Sequence, residues 1–538
     1  MGSTRAADRR KITLLSAVIV AVALIAGVAV RVSTNLASAK AAPTVVRDVK
    51  TGRSRLPALT RPVPRSTDPT DGYSQPDTQV EPSIDVNPAN PRNAVAVYQE
   101  GRFADGGDYT NGFATTFDAG KTWTYGELPK LTINGRQGGP FERASDPVVA
   151  FGPHNVVYAN SLVIDISGDN GLRSGLAVNT SKDGGRHWSA PIFIQDDNLG
   201  GTNDKNWIVV DNSSAPGHHL GRVYVIWDRV APVVYDYCDH DCDKLSNWLP
   251  NLQKLPGLVF AGQGIGSYPL VLKDGGLGIV INTITGGIPN AEEEEQIAGE
   301  LNIIIAPNAG STPYPLPLVF TPPIDINGEK SGGVRAQRAG GLPAAAVDPS
   351  SGTIYAVWED NRFRSTGTLN DALISRSTNG GITWTKPTRI NRDPTDSEIN
   401  HYNPTVAVGA GGRVHVAWRE RDESGGGPLD EPFIDTFYAE SYNGGKTFTK
   451  PLRVNHVSSD MSYGAFSRGG AFEGDYNQVA SAGGITYIVR CQAAPAYKGE
   501  PAALVPDPAD RNAVKLGRRG HQHQSAWVAV VQDLPKKR

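Results

Sequence analysis

The sequence predicts an all-β protein built from repeated antiparallel units, and three observations support this. Gly (60 residues) and Pro (39 residues) are abundant in the 538-residue chain, and few segments show a long helical periodicity. A pair of short apolar strands joined by a polar turn recurs seven times. An eight-residue turn motif recurs four times in phase with those pairs. A long chain with a regular period is typical of a repeat or closed-sheet architecture.

The strand pairs are spaced about 60 to 74 residues apart and begin near Glu81, Asp146, Asn206, Tyr268, Leu342, Asn403 and Tyr476. Where the turn motif follows, it adds two more strands, so each unit is predicted to be a four-stranded antiparallel blade. We therefore predict a β-propeller over residues 80–534, with strand Ser525–Val531 completing the last blade. Seven blades are favoured, and six are the alternative, because the third and fourth units carry insertions and lack the turn motif.

The turn motif predicts a structural clip between two strands. Its four copies are TFDAGKTW, SKDGGRHW, STNGGITW and SYNGGKTF, with the central Asp or Asn at Asp118, Asp183, Asn379 and Asn443. An Asp or Asn side chain accepts hydrogen bonds from backbone N–H groups further along the turn, and Gly supplies the positive φ. The closing aromatic residue is expected to anchor the turn to the sheet. No reactive role is predicted for the motif.

Residues 1–40 are predicted to form a short basic N-terminal segment followed by a membrane-spanning or signal helix. The run Ile12–Val30 is uncharged, and its length is near the roughly 20 residues that span a bilayer. Arg9, Arg10 and Lys11 precede it, which favours a cytoplasmic N-terminus and a single-pass anchor in the cell membrane. Cleavage near Ala39, followed by secretion, is the alternative. Both place the rest of the chain outside the cell, with 41–79 as a Pro-rich linker and 535–538 as a basic tail.

The net charge of the chain restricts the classes of partner that the protein is expected to bind. A net charge of −3 argues against a nucleic-acid binder.

Cys238 and Cys242 predict a loop disulfide, with a metal site that includes His240 as the alternative, and Cys491 is expected to be buried. No cofactor or metal is predicted, although Asp, Asn and carbonyl oxygens near the channel would suit Ca²⁺. The oligomeric state is not indicated by the sequence.

The four turn motifs resemble the Asp-box (BNR) repeats of bacterial sialidases and their propeller relatives, over residues 80–534. The resemblance implies an outward-facing propeller that acts on glycans as a sialidase-type exo-glycosidase. The alternative is a non-catalytic Asp-box propeller that binds a surface glycan or protein partner. A lyase or hydrolase acting on other polysaccharides is a further alternative, because a fold by itself does not give a function.

Strand alternation places the turn motifs on one face and the residues that flank the first two strands of each blade on the other. A sialidase needs an arginine clamp for the substrate carboxylate, a tyrosine nucleophile with a glutamate partner, and an acid/base aspartate. The resemblance implies the following candidates: Arg102, Arg362 and Arg421 for the clamp; Tyr476 or Tyr402 as nucleophile; Glu420 or Glu473 as its partner; Asp146 or Asp204 as acid/base; and Glu81 and Lys205 at the substrate.

The chain departs from the family at "VEPSI", where Glu81 replaces the arginine of the sialidase Arg-Ile-Pro motif. A carboxylate there would repel a sialic acid.

Overall fold

The computed structural model describes residues 43–52, 56, 72–166, 173–197, 203–229, 231–248, 256–284, 299–326, 342–365, 369–423, 433–467, 470–498, 504–506, 514–516 and 522–532. The apolar run 12–30, the cleavage site near Ala39 and the basic tail lie outside these residues, so those assignments stay predictions. Within the described ranges, no helix is both long and apolar enough to cross a membrane.

Strands dominate the described residues, together with four short 3₁₀ turns at Pro153–Asn155, Leu245–Asn247, Ala410–Gly412 and Met461–Tyr463. In chain order the strands are β1 Thr44–Lys50, β2 Gln79–Val86, β3 Ala94–Arg102, β4 Asp108–Thr116, β5 Thr124–Glu127, β6 Arg143–Phe151, β7 Val157–Asp165, β8 Arg173–Ser181, β9 Ile192–Asp197, β10 Asp204–Val210, β11 Val223–Asp228, β12 Val233–Cys238, β13 Gly257–Phe260, β14 Gly264–Val271, β15 Leu277–Ile284, β16 Gly299–Ala306, β17 Ile324–Asp325, β18 Ala344–Val347, β19 Ile354–Asp360, β20 Asp371–Ser377, β21 Thr388–Arg389, β22 Ile399–Gly409, β23 Arg413–Asp422, β24 Phe433–Ser441, β25 Leu452–Arg453, β26 Ser459–Asp460, β27 Ala465–Ser467, β28 Gly470–Phe472, β29 Gln478–Ala482, β30 Ile485–Ala493, β31 Leu504–Pro506, β32 Val514–Leu516 and β33 Gln524–Gln532.

These strands form seven four-stranded antiparallel blades. Blades 1 to 6 are β2–β5, β6–β9, β10–β13, β14–β17, β18–β21 and β22–β25, and blade 7 contains β29, β30, β33 and β1. The first strands β2, β6, β10, β14, β18, β22 and β29 contact one another in that order, and β29 contacts β2 again. The ring is therefore closed, as expected for a seven-bladed propeller, and the all-β prediction is confirmed.

The last blade is closed by the N-terminal strand. Residues 44–50 fall in the predicted linker, but they form β1 and pair antiparallel with β33, with Val49 opposite Val528. Residues 72–79 also lie in the propeller, because Tyr73 and Thr78 are buried there. A lone strand whose partner lies at the other end of the chain has no adjacent hairpin to reveal it. The ordered propeller therefore begins at Thr44 rather than at Val80.

The turn motifs have the hydrogen bonds that their residues predict. In the first copy, Asp118 Oδ1 accepts from the backbone N–H groups of Lys121 (2.9 Å) and Thr122 (2.9 Å). Thr116 Oγ1 accepts from the N–H of Gly120 (3.0 Å). The hydroxyl-to-glycine bond recurs at Gly185, Gly381 and Gly445.

Each turn also packs on the preceding blade. Gly185 of blade 2 has φ +92°, and a Cβ atom there would lie 2.5 Å from Cγ2 of Val95 in blade 1. Gly381 and Gly445 approach the preceding blades at Ile305 and Tyr355 in the same way. The motif therefore fastens neighbouring blades to each other as well as turning the chain.

The Asp copies of this turn predict a loss of stability in acid. Partial burial raises the pKa of Asp118, but hydrogen bonds from the backbone and hydroxyl of Thr122 outweigh it and lower the pKa to about 2. Asp183 likewise has a pKa of about 2, since bonds from His187 outweigh burial. An unfolded aspartate has a pKa of about 3.9. Because the folded pKa is the lower one, this stabilisation is present above about pH 4 and is lost as pH falls towards about 2.

Asn379 and Asn443 make the equivalent bonds without a titrating group. We therefore expect the thermal unfolding midpoint of the double variant Asp118→Asn, Asp183→Asn to fall less than that of the wild type between about pH 4 and pH 2. Circular dichroism melts across this range measure the difference. Parallel curves for the two proteins would show that these carboxylates do not couple folding to pH.

The cysteines are arranged as the sequence predicts. Cys238 and Cys242 form a disulfide that closes the loop after β12. Trp248 lies over this loop and donates from Nε1 to the carbonyl oxygen of Cys242 (3.1 Å). Cys491 is a buried free thiol. The alternative of a metal site at Cys238 and Cys242 is excluded while both sulfurs are in the disulfide.

Candidate active site

A strained bulge marks the start of the first strand in five blades. The register between first and second strands shifts at this point in blades 1, 2, 3, 4 and 6. The bulged residues have positive φ: Glu81 (49°), Asp146 (44°), Lys205 (44°), Gly266 (76°) and Asn403 (46°). Residues other than glycine seldom adopt positive φ, and such strain concentrates at functional sites. A bulge re-aims its side chain, and here it presents three charged groups from three consecutive blades.

A local sequence signal accompanies these bulges. Pro82, Pro147 and Pro404 directly follow Glu81, Asp146 and Asn403. Proline inside a sheet is confined to edges, strand starts and bulges because it cannot donate to the ladder. A polar residue followed by proline at the start of a predicted central strand therefore indicates a bulge.

One amide group links Glu81 and Asp146, which come from adjacent blades. Gln99 Nε2 donates to Glu81 Oε2 and to Ser145 Oγ (2.8 Å), and Ser145 Oγ donates to Asp146 Oδ1 (2.7 Å). Arg102 donates to Gln99 Oε1 (3.0 Å), which sets the orientation of the amide. The two carboxylates are thus held by a shared network of hydrogen bonds.

Lys205 and Tyr476 lie near Glu81 and Asp146, and these four residues are called the mouth below. The ammonium of Lys205 lies 3.7 Å from the ring centroid of Tyr476 and 4.4 Å from that of Trp207. Burial lowers the pKa of Lys205, although the carboxylates of Asp146 and Glu81 act in the opposite direction. The hydroxyl of Tyr476 is buried without a hydrogen-bond partner among the described residues. Burial, together with the charges of Glu81 and Asp146, raises its pKa well above the usual value.

Asp108 also lies near Glu81 and Asp146, although its sequence context did not predict this. It lies opposite Arg102 in the β3–β4 pair, and both of its carboxyl oxygens are buried without a hydrogen-bond partner in the described part of the chain. Burial raises the pKa of Asp108 well above its usual value; Arg102 opposes this shift, and Glu81 and Asp146 add to it. Burial therefore favours the protonated form of Asp108. In sequence it stands in "DGGDY", which is typical of a turn.

A small cleft of about 20 Å³, open to solvent, lies beside these groups. Its lining includes Lys205, Trp207, Tyr268, Asn403, Asp475 and Tyr476. The rings of Trp207 and Tyr268 are 4.5 Å apart, so they form a continuous aromatic wall. Aromatic walls combined with a few placed polar groups are characteristic of small-ligand sites.

The other predicted catalytic residues lie elsewhere. Tyr402 and Glu473 do meet, with the hydroxyl 3.5 Å from Glu473 Oε2, but Tyr402 is fully buried. Glu473 also contacts Arg419, which makes this pair part of a core network. Glu420 accepts a bond from Trp418 Nε1 (2.9 Å), and its Oε1 lies 3.5 Å from Nε2 of His401. Asp204 is exposed and accepts from the N–H of Lys205 (2.8 Å).

Two of the three candidate arginines pair with acids on their own blades, and the third, Arg102, contacts Gln99 and Phe472. Arg362 pairs with Asp360 (2.5 Å) and Arg421 pairs with Glu423 (3.2 Å). Arg102 bonds Gln99, and its guanidinium lies 4.5 Å from the ring centroid of Phe472. None of the three lines the cleft described above. The arrangement required for a three-arginine carboxylate clamp is therefore not formed by these side chains.

Comparisons with known proteins give fold-level likeness. No family model matches the sequence. No curated protein matches it. Among solved structures, a protein of unknown function from Dyadobacter fermentans is 12% identical, with coverage of 91% of this chain and 99% of that one and a TM-score of 0.44. A Hadza microbial sialidase is 15% identical, with coverage of 77% and 63% and a TM-score of 0.39.

An α-L-arabinofuranosidase of Fusarium graminearum is 12% identical, with coverage of 91% and 98% and a TM-score of 0.41. The neighbours also include an intramolecular trans-sialidase, a polysaccharide lyase and an arabinanase, so several are named as enzymes that act on glycans. At these identities and TM-scores the likeness carries no argument about activity.

Proposed function

We propose that this propeller acts on a glycan, as a glycoside hydrolase whose active site is the mouth formed by Glu81, Asp146, Lys205 and Tyr476. The observation that supports this most is the pair of carboxylates, from adjacent blades, held on strained bulges by one hydrogen-bond network. Most glycosidases use two carboxyl groups beside the scissile bond. The four turn motifs further support a place among the Asp-box propellers.

The proposed roles follow from the hydrogen bonds. Glu81 accepts bonds from Gln99 Nε2 and from the N–H of Asp475 (3.4 Å), so its oxygens act as acceptors in both contacts. Glu81 is therefore the base or nucleophile. Within the described residues, the side chain of Asp146 accepts one hydrogen bond, from the hydroxyl of Ser145. We assign Asp146 as the acid/base group. The carboxyl of Asp108, whose pKa burial raises, is a neighbouring source of a proton.

The charges at the mouth favour a sugar without a negative charge. The carboxylates of Glu81, Asp146 and Asp475 surround one lysine, and Arg362 and Arg421 are paired elsewhere. A sialic acid would bring its carboxylate against three others, each repelling it. We propose a neutral glycoside as the substrate class.

The alternative function is a non-catalytic propeller that binds a surface glycan or protein partner. The pairing of Arg362 and Arg421 with acids on their own blades favours it, because a catalytic clamp would leave these arginines for the substrate. Under this alternative the aromatic wall of Trp207 and Tyr268 forms the binding surface.

We also propose that the propeller works outside the cell, tethered by the run 12–30 or secreted after cleavage near Ala39. The Cys238–Cys242 disulfide supports this location, because disulfides persist in oxidising compartments. The positive flank of the run supports the same orientation.

A panel of fluorogenic glycosides tests the proposed function. The purified full chain is assayed on neutral pyranosides and furanosides and on a sialoside, alongside the variant Tyr476→Phe. We expect turnover of a neutral glycoside, which Tyr476→Phe retains within about tenfold because the carboxylates perform the chemistry. Sialoside turnover that Tyr476→Phe abolishes would instead establish the sialidase mechanism. No turnover, with glycan binding that Trp207→Ala removes, would establish the binding module.

A further inference from the structure

We propose that the junction of blades 5 and 6 binds a divalent transition-metal ion through Asp393, His401 and Glu420. One ligand atom from each residue lies within 4.8 Å of the other two. His401 in β22 is paired across the strands with Glu420 in β23. Asp393 belongs to the connection that leads from β21 of blade 5 to β22 of blade 6. The site therefore joins two blades and is separate from the carboxylate pair at the mouth.

The imidazole of His401 is oriented as a metal ligand. Its Nδ1 lies 3.0 Å from the carbonyl oxygen of Asn370, so Nδ1 carries the proton and donates it. Nε2 lies 2.7 Å from Asp393 Oδ2 and 3.5 Å from Glu420 Oε1. It nevertheless makes no well-directed hydrogen bond with either, although His401 is fully buried. Metal-ligating histidines commonly donate their other ring N–H to a backbone carbonyl.

The carboxylates of Asp393 and Glu420 are oriented by hydrogen bonds and remain accessible to solvent. Asn391 Nδ2 donates to Asp393 Oδ2 (2.9 Å), and Trp418 Nε1 donates to Glu420 Oε1 (2.9 Å). Outer hydrogen bonds of this kind orient the ligands of metal sites. The side chains of Asp393 and Glu420 are 26% and 15% exposed, whereas that of His401 is 0% exposed. An ion can therefore reach the buried nitrogen from the solvent side and keep water as a further ligand.

The ligand types select the ion. One imidazole nitrogen with two carboxylates suits Zn²⁺ and its first-row neighbours. Ca²⁺ takes oxygen ligands throughout, so the histidine disfavours it. Asn403, two residues after His401, carries the blade 6 bulge at the mouth. An ion at this junction would therefore brace the chain directly before that bulge.

Zinc binding by the untagged full chain tests the proposal. After chelator treatment and dialysis, the protein is titrated with ZnCl₂ by calorimetry, and bound zinc is measured by elemental analysis. We expect one ion per chain and a rise in the thermal unfolding midpoint, because a ligand that binds only the folded state stabilises it. Asp393→Asn and His401→Gln should each weaken binding by about tenfold or more. The matched control Asp396→Asn, exposed on the same connection, should bind zinc as the wild type does.

No uptake of zinc, manganese, cobalt or nickel by the wild type would overturn the proposal and leave the cluster as an ion pair of His401 with two acids. Equal loss of binding in Asp393→Asn and Asp396→Asn would also overturn it, because the binding would then be non-specific. If His401→Gln does not fold, Asp393→Asn decides alone, since its partly exposed side chain is replaced by one of the same shape.

Discussion

Replacing Asp146 with asparagine should lower kcat/KM on the neutral glycoside by about 10²- to 10⁴-fold, the range that one acid–base group contributes. Asparagine tolerates positive φ, so the bulge at 44° should persist. The amide can still accept the Ser145 hydroxyl that Asp146 Oδ1 accepts now (2.7 Å). What is lost is the ability to donate and take up a proton. Steady-state kinetics of the purified variant measure the loss, and its melting curve should match that of the wild type.

Asp196→Asn is the matched control for this variant. Asp196 lies on the outer strand β9 of the same blade and pairs with Arg173 at the surface (2.8 Å). The same chemical change there should leave kcat/KM unchanged. Turnover by Asp146→Asn at the wild-type rate would exclude Asp146 as the acid/base group and return the assignment to the other acids at the mouth.

Replacing Asp48 with alanine should destabilise the propeller by about 3–5 kcal/mol, the cost of removing one partner from a buried ion pair. Asp48 belongs to β1, and its Oδ1 lies 2.6 Å from a guanidinium nitrogen of Arg490 in β30. Both side chains are almost fully buried, at 2% and 1% exposure. The variant leaves Arg490 charged inside the blade and removes an attachment of the strand that closes the ring. Urea unfolding followed by tryptophan fluorescence measures the change.

The control for this prediction is Lys244→Ala, because Asp241 itself has φ +47°, which alanine disfavours. Asp241 pairs with Lys244 (2.8 Å), but both side chains are more than half exposed. Exposed pairs contribute little because water screens them, so the unfolding midpoint of Lys244→Ala should equal that of the wild type. If Asp48→Ala unfolds at the wild-type urea concentration, the Asp48–Arg490 pair does not hold β1 in place.

The features that could be predicted from the sequence are local ones. The hairpins that begin near Glu81 and Asp146, and the turns around Asp118 and Asp183, depend on residues a few positions apart. Their apolar alternation and their Asp, Asn and Gly residues therefore appear directly in the sequence. The positions of Glu81, Asp146, Lys205 and Tyr476 on one face have a related reason, because a propeller places the start of each first strand on that face. Their roles in a site stay predictions.

Other parts of the site could not be predicted because they depend on packing between blades. Asp108 looks like a turn residue, and only its burial beside Arg102 makes it an acid with a raised pKa. Tyr402 and Glu473 are near each other as the resemblance implied, yet the core encloses them. The nucleophile and acid assignments drawn from the resemblance therefore required the burial and the hydrogen bonds of each side chain.

By itself the sequence determined the strand pairs, the turns between them and the ring they form, since short-range alternation and turn chemistry specify these. Only the tertiary structure decided that Thr44–Lys50 completes blade 7, that Arg362 and Arg421 pair with acids on their own blades, and that Asp393, His401 and Glu420 meet. The physical reason is distance along the chain: burial, desolvation and charge pairing are set by neighbours in space, and in a closed propeller those neighbours come from adjacent blades or from opposite ends of the chain.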